Sequence, residues 1–193
     1  MSDAKGSGAL DGGEVCLRPL VEEDAPLLTR WFFDPEVLHW LQLSEDPAEL
    51  RTSQAVRERC ERMQADPFTE TWRIDTVKGR PVGQIELVDI HPLQRRAEVH
   101  VCIGEKDVWG RGYGTRAVQR LLRHAFEDRR LRRVFATADA DNARVIRCFE
   151  RCGFTYEGRL RRHRLRHGQP TDMVVRGILD GEYRAANDRP AGV

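Results

Sequence analysis

Short stretches of alternating apolar and polar residues are interspersed with stretches in which apolar residues recur every three or four positions. Alternation predicts half-buried strands, and the longer spacing predicts amphipathic helices. Strands are predicted at residues 15–20, 71–77, 81–90, 97–104, 133–138, 154–166 and 171–179, and helices at 22–33, 46–63, 113–128 and 142–152. This order predicts an α/β (α+β) fold, a mixed, mostly antiparallel sheet of about seven strands covered by about four helices.

Local signals set several boundaries of these elements. Asp46 and Pro47 suit the N-cap and first position of the second helix. Lys78-Gly79-Arg80 predicts a turn between two strands, and His167-Gly168 predicts the turn of a final hairpin.

The length of 193 residues is typical of a single domain. Residues 1–13 hold almost no large apolar side chain, so we expect a disordered tail, a single domain over 14–183 and a loose C-terminal tail over 184–193. The opening lacks the regions of a signal peptide, and the apolar runs are too short to cross a bilayer. We therefore expect a cytoplasmic protein without a membrane partner.

The cysteines and histidines do not indicate a metal site. Five dispersed cysteines form no CxxC pair, which predicts idle thiols, and the six histidines are scattered. The arginine-rich run at 159–166 lacks interleaved aromatic residues, and the net charge is only +1. We expect a solvated strand face or an oligomer contact there, and no nucleic-acid partner.

Charge is distributed unevenly along the chain. Residues 14–50 carry nine carboxylates against two arginines, and arginine dominates residues 111–166. An acidic region attracts cations, and a basic one attracts phosphates. Trp31, Phe32, Trp40 and Trp72 could therefore form a cation-binding pocket with these acids; alternatively, the aromatic residues are core and the acids are solvated.

Candidate chemistry begins at Trp109-Gly110-Arg111-Gly112-Tyr113-Gly114-Thr115, between a predicted strand and a predicted helix. Alternating glycines let a backbone approach an anion closely, and free N–H groups at a helix start bind phosphate. There is no Gly-Lys-Ser/Thr, which excludes a P-loop, and the spacing differs from the dinucleotide fingerprint.

A second segment about thirty residues later completes the pattern. With the glycine loop at Gly112 and Gly114, the sequence around Asn142, Gly153 and Phe154 resembles the Gcn5-related N-acetyltransferase (GNAT) superfamily. The RimJ/RimL-like branch is the most similar, with likeness to spermidine acetyltransferases over residues 82–98. The resemblance covers nearly the whole chain and implies acetyl-CoA as co-substrate. Dimers are frequent in similar proteins, so a homodimer is compatible with it.

The resemblance also implies which residues bind acetyl-CoA. The strand at 97–104 would splay from its neighbour and pair with the pantetheine arm, and amides of the glycine loop would hold the pyrophosphate. Asn142 would bind the arm near the thioester, and Arg147 would reach the phosphates unless it belongs to a solvated helix face. The implied set is Val101, Cys102, Ile103, Gly110, Arg111, Gly112, Tyr113, Gly114, Thr115, Asn142 and Arg147.

Acetyl transfer to an amine needs a base, a polarised carbonyl and a proton for the thiolate. Glu98 falls where Gcn5-type enzymes place their catalytic glutamate, and His100 is a second candidate proton acceptor on the same strand face. The N–H of Cys102 or Ile103 would stabilise the oxyanion. Many members carry tyrosine where this chain has Phe149, which leaves water or Tyr156 as the acid.

Three functions fit this pattern: acetylation of a small cationic amine such as a polyamine or aminoglycoside, acetylation of a protein amine, or acyl-CoA sensing without turnover. A direct transfer, without a covalent enzyme intermediate, is expected for the two enzymes. The sensor is retained as an alternative function because this chain lacks the tyrosine that would serve as the acid.

Overall fold

The structure, a computed structural model, describes residues 15–41 and 52–187. Seven strands form one sheet in the order β1-β2-β3-β4-β5-β7-β6. Only the β4–β5 pair is parallel, which confirms the mixed, mostly antiparallel sheet. The strands are β1 (Val15–Pro19), β2 (Glu70–Thr76), β3 (Pro81–His91), β4 (Arg96–Ile103), β5 (Arg133–Asp139), β6 (Thr155–Arg166) and β7 (Gln169–Leu179).

The described residues contain six α-helices, two more than the four predicted. They are α1 (Ala25–Phe32), α2 (Pro35–Trp40), α3 (Ser53–Ala65), α4 (Tyr113–Arg123), α5 (Ala143–Arg151) and α6 (Asp180–Asn187). The additional two are the short α2 and α6. Asp34 caps α2 by accepting from the N–H groups of Glu36 and Val37, with Pro35 at the first helical position.

Two predicted boundaries need correction. The N-cap of α3 is Thr52, whose hydroxyl accepts from the Ala55 N–H at 3.1 Å. The predicted start at positions 46 and 47 lies outside the described residues. The predicted loose tail over 184–193 begins inside α6, so residues 184–187 are helical. The hairpin turns are as predicted, with positive φ at Gly79, His167 and Gly168.

Helices cover both faces of the sheet and bury one apolar cluster on each. The larger cluster joins the strands to α4 and α5, and includes Ile85, Val99, Leu121 and Phe149. The smaller one packs α1, α2 and α3 together, with the partly buried Cys102 against it. β4 therefore points Val99 toward one layer and Cys102 toward the other, as strand alternation requires. Within the described parts of the chain, no helix has the length and apolar character needed to span a membrane.

The end of α4 runs into a turn of π-helix at His124–Asp128, which buries an imidazole between two carboxylates. His124 lies 2.9 Å from both Glu70 and Asp128 and meets the edge of Trp72. Burial alone would lower the pKa of His124, but these two carboxylates outweigh it and raise the pKa.

We expect His124→Gln to destabilise the fold by about 1–3 kcal/mol, because charge-assisted hydrogen bonds of a buried group are lost. Since the folded pKa is raised, the contribution is fully present below the unfolded value of about 6.5 and is lost as pH rises through the folded value. Urea unfolding at pH 6 and pH 9 should show a smaller difference between variant and wild type at pH 9. The exposed His163→Gln serves as control, and an equal effect of both variants would contradict the assignment.

Candidate active site

A wedge-shaped gap opens between the two parallel strands. β4 and β5 pair only at Arg96–Arg133, Ala97–Val134 and Glu98–Phe135, although β4 continues to Ile103 and β5 to Asp139. Beyond Glu98 the strands diverge, which leaves backbone groups of β4 without a strand partner on that side. The splayed strand that the resemblance implied is therefore present.

Strand alternation shows which N–H groups face the gap. The Gly104 N–H donates to the Val82 carbonyl of β3 at 2.9 Å, and successive residues of a strand point their N–H groups to opposite sides. The N–H of Cys102 therefore faces β3, and those of Val101 and Ile103 face the gap. The Ile103 carbonyl, on the same side, accepts from the Trp109 indole at 2.7 Å. Of the two oxyanion donors considered, Ile103 has the suitable orientation and Cys102 does not.

The glycine loop forms a cradle at the start of α4. Gly112 is the N-cap residue and has φ of +88°, a conformation that glycine adopts without strain. The first helical bond, from Arg116 N–H to the Gly112 carbonyl, leaves the N–H groups of Tyr113, Gly114 and Thr115 available at the positive helix end. The Arg111 N–H, included in the predicted set, instead donates to the Val108 carbonyl at 3.2 Å.

Helix α5 forms the opposite wall of the gap. Asn142 is its N-cap and accepts from the Val145 N–H at 3.3 Å, so the amide side chain is fixed at the cleft. Arg144 lies 4.1 Å above the Trp109 ring. Three arginines of α5 line the cleft, namely Arg144, Arg147 and Arg151. Sequence analysis selected only Arg147; the spacing of three and four residues on one helix could have indicated the other two.

These elements enclose a cleft of about 450 Å³. Its walls combine the free edge of β4, the N–H groups of the cradle and the arginines of α5. Free N–H groups, a helix N-terminus and arginines are the groups that bind a pyrophosphate, and an open strand edge can pair with an extended amide-containing arm. The residues present therefore fit acetyl-CoA.

A polar cluster lies at the sheet floor of the cleft, on three adjacent strands. His100 of β4 has Glu86 of β3 at 3.6 Å from Nδ1 and Glu98 at 3.5 Å from Nε2. Glu98 also accepts from the Thr137 hydroxyl at 2.7 Å, and Glu86 accepts from Gln84 at 3.0 Å. His100, Glu86, Gln84 and Thr137 line the cleft, whereas Glu98 lies behind His100 and Thr137.

The two carboxylates control the charge of His100. Burial would lower its pKa, but Glu86 and Glu98 outweigh this and raise the pKa to about 9. Burial would raise the pKa of Glu98, yet His100 and Thr137 lower it overall. At neutral pH the cluster therefore contains an imidazolium held by ionised Glu98. Sequence analysis did not select Glu86; its position on β3, directly opposite His100 in the register, is set by strand pairing.

Neither Phe149 of α5, at the position where many relatives carry tyrosine, nor Tyr156 of β6 can donate a proton into the cleft. Phe149 lines the cleft at the position expected for tyrosine, is 1% exposed and packs against Phe154. Tyr156 is 52% exposed, lies beside Arg176 and is not among the residues that line the cleft. Its suggested role as the acid is therefore wrong.

Among the residues that the structure describes, the acidic N-terminal region does not form the predicted cation pocket. Trp31, Phe32 and Trp72 are core residues, and only Trp40 of the four aromatic residues lines the cleft. Four of the described acids form ion pairs, namely Glu22 with Arg57, Asp24 with Arg73, and Asp34 and Glu36 with Lys106. Positions 14, 45, 46 and 49 lie outside the described residues.

Residues 14–155 match the family model described as an acetyltransferase (GNAT) domain. The chain belongs to the GNAT family. It is 27% identical over 172 residues to the uncharacterized N-acetyltransferase p20 of Bacillus licheniformis, covering 88% of this chain and 94% of that protein. It is also 29% identical over 112 residues to the spermidine N(1)-acetyltransferase of Escherichia coli K12, covering 58% of this chain and 60% of that enzyme.

Solved structures show the same fold. The spermidine N-acetyltransferase of Vibrio cholerae in complex with CoA and spermine superimposes with a TM-score of 0.80 at 21% identity, covering 89% of this chain and 99% of that one. This GNAT protein is thus an acetyl-CoA-dependent N-acetyltransferase that transfers the acetyl group to an amine. The RimJ/RimL-like placement, the homodimer and the cytoplasmic location stay predictions.

Proposed function

We propose that the amine acceptor is a small cationic molecule of the polyamine class. The observation that carries this proposal is Glu86, a buried carboxylate that opens onto the cleft at the sheet floor. Its side chain is only 6% exposed, so an ammonium group near it would be shielded from solvent and from salt. Trp40 lines the α2 side of the same cleft, and the guanidinium of Arg166 lies 5.3 Å from the centre of its ring, so this ring already binds one cationic group.

The distribution of charge in the cleft supports this orientation. The α5 wall carries Arg144, Arg147 and Arg151, which suit phosphates. The floor carries the two carboxylates Glu86 and Glu98 against the single imidazolium of His100, so its charge is net negative. A phosphate-bearing co-substrate and a cationic acceptor would thus occupy opposite ends. The spermidine acetyltransferases among the relatives are consistent with an acceptor of this class.

Bound acetyl-CoA would supply the acetyl thioester; the chain supplies position and proton transfer. In this proposal the Ile103 N–H, on the free edge of β4, donates to the oxygen that gains negative charge. We propose Glu98 as the group that accepts the amine proton. Because Glu98 lies behind Thr137 and the already protonated His100, it acts through a water molecule.

Thiol release from acetyl-CoA, measured with a panel of amines, tests the acceptor. We expect turnover with spermidine and spermine, weaker turnover with aminoglycosides, and none with free amino acids or short peptides. A preference for peptides would contradict the polyamine proposal and leave acetyl transfer itself intact.

Two observations favour other acceptors or none. Arg59 of α3 lines the same cleft, which would suit an amine that also carries a carboxylate, including a peptide amine. Phe149 removes the usual acid, which would suit an acyl-CoA sensor without turnover. Tight binding of acetyl-CoA by calorimetry, together with no thiol release with any amine of the panel, would favour the sensor.

A further inference from the structure

Acetyl transfer leaves a CoA thiolate that must be protonated, and this chain lacks the tyrosine that performs the step in many relatives. Phe149 carries no acidic proton, and Tyr156 lies away from the cleft. The cleft contains another charged proton donor. His100 projects from β4 two residues beyond Glu98, where the last β4–β5 pair forms and the gap opens.

The surroundings of His100 fix both its orientation and its charge. Nδ1 faces Glu86 of β3, and Nε2 faces Glu98 of its own strand, at 3.6 and 3.5 Å. Gln84, on the same strand as Glu86, donates to that carboxylate, and Thr137 of the neighbouring β5 donates to Glu98, so each carboxylate is held by a further side chain. The side chain of His100 is still 38% exposed, so it reaches the open cleft that Phe149 also lines.

We propose that His100 is the proton donor to the departing CoA thiolate, in place of the tyrosine absent at Phe149. This inference rests on the acetyl transfer described above and names a further catalytic residue for it. Glu86 is then a positioning residue, which helps to hold the imidazole in its protonated form, and Glu98 does the same in addition to accepting the amine proton.

The proton balance closes within the site. The neutral amine attacks the carbonyl carbon, the C–N bond forms, and the nitrogen gains positive charge. The C–S bond breaks, its electron pair stays on sulfur, and His100 gives a proton to that sulfur. Ionised Glu98 accepts the proton of the amide nitrogen through a water molecule and passes it to the neutral imidazole, which returns to the imidazolium. The products are the N-acetyl amine and the CoA thiol.

The acidity of His100 suits this step. Its pKa of about 9 keeps it protonated at neutral pH, close to the value of about 8.5 of a free alkyl thiol such as cysteine. Proton transfer to sulfur is therefore nearly balanced in energy. The titratable and charged groups around it are Glu86, Glu98, Cys102 on its own strand, and Arg59 from α3. Burial raises the pKa of Cys102 to about 12, which makes that thiol a poor donor.

The test compares wild type, His100→Gln, Phe149→Tyr and the double variant, with acetyl-CoA and spermidine, or the fastest amine of the panel. Single-turnover rates are measured from pH 6 to 11, so that product release does not limit the rate. We expect the wild-type rate to fall above pH 9, and His100→Gln to lower it about 10²-fold at pH 7.5 and to remove that fall. Calorimetry should show unchanged acetyl-CoA affinity.

Replacing Phe149 by tyrosine gives the decisive comparison. In the double variant, the tyrosine should raise the single-turnover rate at least tenfold above that of His100→Gln. In the wild-type background, it should extend the active pH range upward, toward the tyrosine pKa of about 10. The proposal would be overturned if His100→Gln reacts at the wild-type rate. It would also be overturned if the rate of Phe149→Tyr falls at the same alkaline pH as that of the wild type. If the wild type binds acetyl-CoA but turns over no amine of the panel, both the proposed acceptor class and the proton-donor role of His100 would be refuted, and the sensor would be favoured.

Discussion

Replacing Glu98 by glutamine is expected to lower kcat by about 10²-fold or more, the range typical of a lost general base. In the proposed mechanism, the change removes the charge that accepts the amine proton and that, with Glu86, holds His100 protonated. Glutamine keeps the size of the side chain and an oxygen that can still accept from Thr137, so folding should be preserved. Steady-state kinetics with acetyl-CoA and the preferred amine give kcat, and thermal unfolding checks the fold.

The pH profile separates this role from a structural one. Without Glu98, His100 loses one of its two carboxylate partners, and its pKa should fall from about 9. The decline of rate at high pH should therefore begin at lower pH in the variant. Glu86→Gln is the charge-matched comparison: because Glu86 lines the cleft, we expect a raised KM for the cationic amine and a smaller loss of kcat. Unaltered kcat in Glu98→Gln would place the base elsewhere.

Replacing Gly112 by valine is expected to weaken acetyl-CoA binding by about 10²-fold or more. Gly112 has φ of +88°, which a β-branched residue resists, and an added Cβ would lie 2.7 Å from the Arg116 guanidinium. Any shift of the loop misdirects the N–H groups of Tyr113, Gly114 and Thr115. Losing two charge-assisted hydrogen bonds of about 1.5 kcal/mol each corresponds to about two orders of magnitude in Kd.

Gly79→Val supplies the matched control for backbone strain. Gly79 has φ of +78° in the turn between β2 and β3, and an added Cβ there meets nothing within 4 Å. Both variants should lose similar thermal stability, and only Gly112→Val should lose affinity in calorimetric titrations with acetyl-CoA. Equal Kd values for acetyl-CoA in both variants and the wild type would show that the glycine loop is not part of the binding site.

Local sequence patterns predicted the sheet and the phosphate cradle because these depend on neighbours in the chain. Alternation predicted the strands, and three spaced glycines before a helix predicted a loop with free N–H groups. The extra helix α2 was missed because six residues are too few for periodicity to show. The N-cap of α3 was misassigned because Asp46-Pro47 is a stronger local signal than Thr52.

The residues of the candidate site also fall into those that sequence could select and those that only the structure reveals. Asn142 and the glycine loop lie on single short motifs, so sequence alone could select them. Glu86 could not be selected, since only the β3–β4 register brings it opposite His100. Tyr156 was considered as an acid because its side chain has the right chemistry, but its strand carries it to the far side of β7 from the cleft.

The sequence by itself thus determined the family, the fold and the use of acetyl-CoA, because contiguous motifs carry all three. Only the tertiary structure decided that Glu98 stands behind His100, that the Ile103 N–H faces the gap and the Cys102 N–H does not, and that two carboxylates keep His100 protonated. Each of these depends on which strand lies beside β4 and in which register. Pairing between distant segments sets that register, and no local pattern of residues encodes it.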